Sequence, residues 1–264
     1  FGVLDTPVSH RAERPVPLPG TARGEIAFED VTFAYDENPV LRDVSFSARS
    51  GERIAVVGWT GSGKSTLIRL LVRLYDAQHG RITLDGVDVR DLAVEQLRRS
   101  IGVVLQEPFL FSGTIRDNVT LGDPKSPRER VERALAATGA ARFVARLPNG
   151  LDEEVRERGS NLSVGERQLL CFARALAFDP AVLVLDEATA SVDPETEELL
   201  QSATEATLAG RTSIIIAHRL GTIRGADRIL VMHKGRLAET GTHDELVGVE
   251  GGIYRALWKL QAAS

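Results

Sequence analysis

The chain has 264 residues, 43% hydrophobic and 26% charged, which suits one large globular domain or two closely joined subdomains. Its net charge of −5, without a lysine or arginine run, argues against nucleic acid as a partner, and its single cysteine, Cys171, excludes an intrachain disulfide or a cysteine-rich metal centre. No stretch approaches the roughly 18 consecutive apolar residues of a membrane span, and none of the sequence given reads as a signal peptide.

Residues 1–24 carry Pro7, Pro15, Pro17 and Pro19 without lasting periodicity and are expected to form an extended linker. The chain opens at Phe1, not at methionine, as a piece of a longer polypeptide would. Order is expected from Glu25. Val31, Phe33 and Tyr35 alternate with other residues, as do Val44, Phe46 and Ala48, a pattern that predicts antiparallel strands with one face buried. From Arg53 the pattern changes: "RIAVVG" is followed by a glycine-rich turn and the helical run "KSTLIRLLVRLY". "AVLVLDE" and "TSIIIAH" are further short apolar runs ending in polar residues, as central parallel strands covered on both faces would. Residues 107–180 read as mainly helical, with Pro127–Thr138 and Ser163–Phe178 as the clearest helices and Cys171 as a small buried apolar residue in the second. The terminal "GGIYRALWKLQ" predicts an amphipathic helix. The fold class expected is α/β, a mostly parallel central sheet with an antiparallel β subdomain and a helical subdomain.

"GWTGSGKS", Gly58–Ser65, fits G-x-x-x-x-G-K-[ST] in full, between a predicted strand and a predicted helix. Such a loop wraps phosphates with backbone N–H groups, with Lys64 reaching the β- and γ-phosphates and Ser65 holding Mg²⁺. The strand "VLVLDE" ends in two carboxylates that alternate in direction, so they do different jobs. Asp186 suits Mg²⁺ and Glu187 a water-polarising base, against the plain alternative of an acidic helix start. His218 follows "SIIIA". A histidine at a strand end is more often structural, but this end is expected to face the phosphate loop, which favours a γ-phosphate contact. Gln106 ends "IGVVLQ" and reads either as a contact to Mg²⁺ or the attacking water, or as a surface glutamine. Tyr35 reads either as a ring for stacking a base or as a half-buried strand tyrosine. "LSVGERQ", Leu162–Gln168, has the S-x-x-E spacing of a capping box and so predicts a second helix start suited to an anion.

With these motifs in this order, the chain from about Glu25 to its end resembles the nucleotide-binding domain of an ATP-binding cassette (ABC) transporter. Tyr35 matches the family's adenine-stacking aromatic, and Gly58, Trp59, Thr60, Gly61, Ser62, Gly63, Lys64, Ser65 and Thr66 match its Walker A loop. Gln106 matches the Q-loop, Val182–Asp186 the Walker B strand, Glu187 the catalytic base, Asp193 the D-loop aspartate and His218 the switch histidine. Leu162–Gln168 matches the signature, although Val164 and Glu166 replace a glycine and a glutamine of the usual L-S-G-G-Q. The D-loop reads "ASVD", and Arg156 stands where glycine is usual in the exporter loop "EEVRERG". "QEPFLFSGTIRDNV" and the opening "FGVLDTP" resemble exporter segments.

The resemblance implies an ATPase that uses ATP and Mg²⁺, with Ser65, Gln106 and Asp186 at the metal. It also implies head-to-tail pairing with a second nucleotide-binding domain, of the same or a different chain. Ser163, Val164, Gly165, Glu166 and Asp193 would then serve ATP held by the partner. Residues 1–24 would follow an N-terminal transmembrane domain, and 25–264 would form the motor of an exporter at the cytoplasmic face of a bacterial inner membrane. The alternative is a soluble ATPase of this type that acts without transport.

Overall fold

A computed structural model describes residues 15–186, 194–217 and 220–262. The alternating segments form β1 (Ile26–Ala34) and β2 (Pro39–Ala48), which pair antiparallel and bring the Phe28 and Phe46 rings into a stack at 4.5 Å. Ile26 and Phe28 are buried together with Val31 and Phe33 despite the odd step between the pairs. The register shifts between Phe28 and Val31, where Asp30 has φ 49°, so a bulge absorbs the extra residue and keeps the apolar side chains on one face.

The chain continues through β3 (Arg53–Gly58), α1 (Lys64–Leu71), β4 (His79–Leu84), β5 (Val87–Asp88), α2 (Val94–Ser100) and β6 (Ile101–Val104). The antiparallel sheet has the order β2-β1-β4-β5. A mainly helical section follows, with β7 (Gly113–Thr114), α3 (Ile115–Thr120), α4 (Arg128–Ala137), α5 (Ala141–Val144), β8 (Glu154–Val155) and α6 (Val164–Leu176). The remainder is β9 (Val182–Asp186), α7 (Pro194–Leu208), β10 (Thr212–Ile216), α8 (Leu220–Arg224), β11 (Arg228–His233), β12 (Arg236–Gly241), α9 (His243–Gly248) and α10 (Ile253–Ala262).

The large sheet has the order β12-β11-β3-β10-β9-β6, parallel throughout except for the edge hairpin β11–β12. Its central strands are buried on both faces. Ile54, Val56, Val182, Val184, Ile214 and Ile216 join one core with the antiparallel sheet, while Ala55, Val57, Leu183, Leu185 and Ile215 join the other with the helices. This explains why these runs are apolar without alternation. Cys171 lies in the helical core, and burial pushes its thiol pKa up, with the nearby Arg174 opposing.

Two segments differ from the periodicity. Residues 105–112 are irregular, although 107–112 belong to the section expected to be mainly helical, and the β7–β8 pair follows. Asn118 holds this stretch as a loop by exchanging hydrogen bonds with Phe111, N–H to Oδ1 at 2.9 Å and Nδ2–H to O at 2.8 Å. The second half of the proline-rich segment packs on the domain: Leu18 is buried, and the Arg23 and Glu25 amides donate to the Asp85 carboxylate at 2.7 and 2.8 Å. Among the described residues no helix is long and apolar enough to cross a membrane.

Candidate nucleotide site

The loop from Gly58 to Gly63 joins the end of β3 to the start of α1. Gly58, Gly61 and Gly63 all have positive φ, at 149°, 78° and 103°, conformations that let the loop curl over the helix N-terminus. At Gly63 space is limiting as well, since a Cβ there would stand 2.6 Å from Leu41 Cδ2. Lys64 is only 8% exposed, and its Nζ donates to the carbonyls of Gly58 (2.8 Å) and Trp59 (3.1 Å), bracing the loop from inside. Burial holds the Lys64 ammonium below the usual lysine range, and the Asp186 carboxylate partly offsets this. Ser62 Oγ is buried with no hydrogen-bond partner. An orphaned hydroxyl, a desolvated cation and free amides at a helix start together fit a bound phosphate. Trp59, Thr60, Gly61 and Ser65 lie exposed at the rim, while Thr66 is buried behind it.

The strand register brings the other acidic and polar groups to the same end of the sheet. Ile216 of β10 lies opposite both Val56 of β3 and Asp186 of β9, so Asp186 is level with Val56, two residues short of Gly58, with β10 between the two strands. Val104 of β6 is level with Leu185, which puts exposed Gln106 at this end too. Glu187, Asp193 and His218 lie outside the described residues.

Tyr35 follows β1 directly. Gln78 anchors that strand end by exchanging two 2.8 Å hydrogen bonds with the backbone of Ala34. The Tyr35 ring is 39% exposed and sits edge-on to Phe33 and Tyr75, at 4.9 and 5.1 Å. Its hydroxyl is 3.3 Å from Thr66 Oγ1 and accepts from Arg69 Nη1 at 3.0 Å. The structure thus brings Tyr35 against the phosphate-loop helix. The sequence reading missed Tyr75, Gln78 and Arg69. The i, i+3 spacing of Thr66 and Arg69 on α1 was the one available signal.

At the other helix start, the capping box is made. Ser163 Oγ accepts from the Glu166 amide at 3.2 Å, and the Ser163 amide donates to Glu166 Oε2 at 2.8 Å. Gly165 is buried where α6 meets α7, and a Cβ there would lie 2.5 Å from Thr196 Cγ2. Ser163 and Val164 are exposed. Among the described residues, no hydrogen bond or ion pair joins Ser163–Glu166 to the phosphate loop.

Beside this helix, Phe109 and Phe111 are 46% and 54% exposed, with their rings edge to face at 5.1 Å. Arg174 of α6 fixes them, donating to the Phe109 carbonyl at 2.7 Å and lying 5.6 Å from the Phe111 ring centre.

A phosphate loop at the carboxyl edge of a parallel sheet, at the same end as a strand ending in aspartate, defines a P-loop nucleotide-binding domain. The profile of the "ABC transporter" family matches residues 41–190. The chain belongs to the ABC transporter family. It is 52% identical over 239 residues to the uncharacterized ABC transporter ATP-binding protein YknV of Bacillus subtilis (strain 168), covering 90% of this chain and 39% of that protein. It is 46% identical over 264 residues to the ATP-dependent lipid A-core flippase of Xanthomonas oryzae pv. oryzae (strain MAFF 311018), covering 99% of this chain and 44% of the flippase. The chain therefore spans less than half the length of these curated relatives. Among solved structures it resembles a bacterial Atm1-family ABC exporter with ATP bound, with a TM-score of 0.89 and 41% identity, over 100% of this chain and 46% of that one.

Proposed function

We propose that the chain is the ATP-binding and ATP-hydrolysing motor domain of an exporter. It pairs head to tail with a second nucleotide-binding domain and is driven against a transmembrane domain N-terminal to it in the same polypeptide. The observation that carries this reading is the buried Lys64 held inside the glycine loop, with Asp186 at the same end of the sheet. Adenine stacks on Tyr35, and residues 58–66 wrap the phosphates. Ser65, Asp186 and Gln106 hold Mg²⁺, which when bound offsets the negative charge on the phosphates. Glu187 polarises the attacking water and His218 contacts the γ-phosphate. Ser163–Glu166 and Asp193 complete the site of the partner, so that each ATP lies between two helix N-termini.

In this reading residues 25–264 form the motor, with 107–180 as its helical subdomain, and residues 1–24 lead in from the membrane domain. The exposed Phe109–Phe111 pair is the surface that meets that domain, at the cytoplasmic face of the membrane. Relatives named as a flippase and an exporter support transport over the alternative of a soluble ATPase. The acidic balance speaks against nucleic acid as a partner.

The test is Glu187→Gln. The variant is expected to bind ATP, nearly lose hydrolysis and accumulate as an ATP-bound dimer, seen by light scattering with and without ATP·Mg²⁺. Hydrolysis at the parental rate would remove Glu187 from the role of base.

A further inference from the structure

Arg69 lies on α1 one turn beyond the phosphate loop, with its side chain at the surface. Its guanidinium donates to the Tyr35 hydroxyl at 3.0 Å, and its central carbon lies 5.8 Å from the Tyr35 ring centre. Among the described residues, the other hydrogen-bond neighbour of that hydroxyl is Thr66 Oγ1, at 3.3 Å. Arginine has no acceptor and stays protonated, so Tyr35 Oη is the acceptor in the first bond. The phenol has one proton of its own, and a donor bonded to its oxygen makes it a better donor in turn. Thr66 Oγ1 is the acceptor within reach. Once Thr66 accepts from Tyr35, its own proton is free to turn toward the phosphates.

The remaining edges of the ring meet Phe33 and Tyr75, which are apolar contacts without a preferred rotation of the hydroxyl. Ordering a long arginine on a surface costs side-chain entropy, and solvation alone gives no reason for it to lie on a phenol.

We propose that Arg69 is a positioning residue for the nucleotide: it fastens the Tyr35 ring by its hydroxyl and, through Tyr35, frees the Thr66 proton for a phosphate oxygen. This rests on the reading of Tyr35 as the ring that stacks the base. It extends that reading by linking the base end of the site to the phosphate end through three side chains in series.

Calorimetric titration of ATP·Mg²⁺ into the domain and its variants tests it. Arg69→Ala is expected to weaken affinity roughly three- to tenfold, the net worth of about one hydrogen bond. Arg69→Lys, which keeps a cationic donor, should recover part of the loss. Tyr35→Phe keeps the ring, loses the hydroxyl and should weaken binding to a similar degree. In the Tyr35→Phe background, Arg69→Ala should have no further effect. An Arg69→Ala loss that persists undiminished in that background and fades with added salt marks a plain charge effect, and overturns the proposal. Parental affinity of both Arg69→Ala and Tyr35→Phe overturns it as well, while leaving stacking intact if Tyr35→Ala binds weakly. Parental affinity of Tyr35→Ala sinks the stacking reading itself.

Discussion

Two residues show how differently a glycine and a lysine constrain this domain. Gly165 sits in a helix, so its backbone does not require glycine; its contact does. The 2.5 Å approach to Thr196 Cγ2 predicts that Gly165→Ala forces α6 away from α7 and destabilises the domain by about 1–3 kcal/mol, the usual cost of overpacking. Urea unfolding checks this, and pairing with Thr196→Ser, which removes the clashing methyl, should restore most of the loss. At Lys64, burial lowers the folded-state pKa below the unfolded value. In the window between the two, the unfolded chain binds more protons, so stability rises with pH there, and the cost of burying the charge is fully present below it. The difference in unfolding free energy between the nucleotide-free parent and Lys64→Met should therefore grow in the parent's favour as pH climbs toward the ordinary lysine value. A difference independent of pH would show that Lys64 is not desolvated.

Helix starts organise this chain at the level of its elements. α3 begins with a capping box in which the Asp117 amide donates to Thr114 Oγ1 and the Thr114 amide to the Asp117 carboxylate, both at 3.0 Å. The bond from the Thr114 amide is the main cause that holds the Asp117 carboxyl below the usual carboxylate range, with the Thr114 side chain the second cause. That contribution is present above the unfolded pKa and is lost as pH falls through the folded one, so hydrogen exchange in α3 should speed up first under acid. Asp117→Asn should flatten this response. The box at α6 makes a second prediction. Ser163→Ala removes the cap and should cost about 1 kcal/mol of stability. Ser163→Asp, which keeps a cap, should restore the stability but not ATPase activity if Ser163 faces a partner's phosphate as proposed, because it adds negative charge there.

This box was legible in the sequence because a capping box is a local pattern of four residues. The strands were legible for a related reason: burial on one face imposes alternation, and burial on both imposes an apolar run. The bulge at Asp30 was not legible, since it depends on what β2 presents opposite. Nor was the role of Arg69, because an exposed arginine on an amphipathic helix satisfies the pattern whether or not it touches a tyrosine. Gly165 was read as a phosphate-facing residue, and the structure adds a packing reason that the sequence has no way to display. Residues 107–112 fell in a section expected to be mainly helical, and one side chain beyond them, Asn118, ties the stretch into a loop through contacts that periodicity does not display.

At the scale of the whole molecule, the account predicts where force leaves the domain and where the partner enters. Phe111→Asp, in a transporter carrying this chain, should leave basal ATP hydrolysis of the isolated domain near the parental rate and uncouple it from transport. Equal transport by the variant and the parent would dismiss the aromatic pair as the contact with the membrane domain. The central claim is that Ser163 serves an ATP held by a second nucleotide-binding domain, and mixing two defective chains tests it most directly. Lys64→Ala spoils the phosphate loop and Ser163→Arg blocks the signature helix start, so each pair of like chains should be nearly inactive. In a mixed pair one site carries both lesions and the other carries none. Equimolar mixing makes about half the pairs mixed, so about a quarter of the parental sites should return under closed two-fold pairing. Steady-state ATPase activity that rises to that level at equal mixing is the predicted result. A profile that stays flat and inactive, with mixed pairs confirmed by native mass spectrometry, would contradict it.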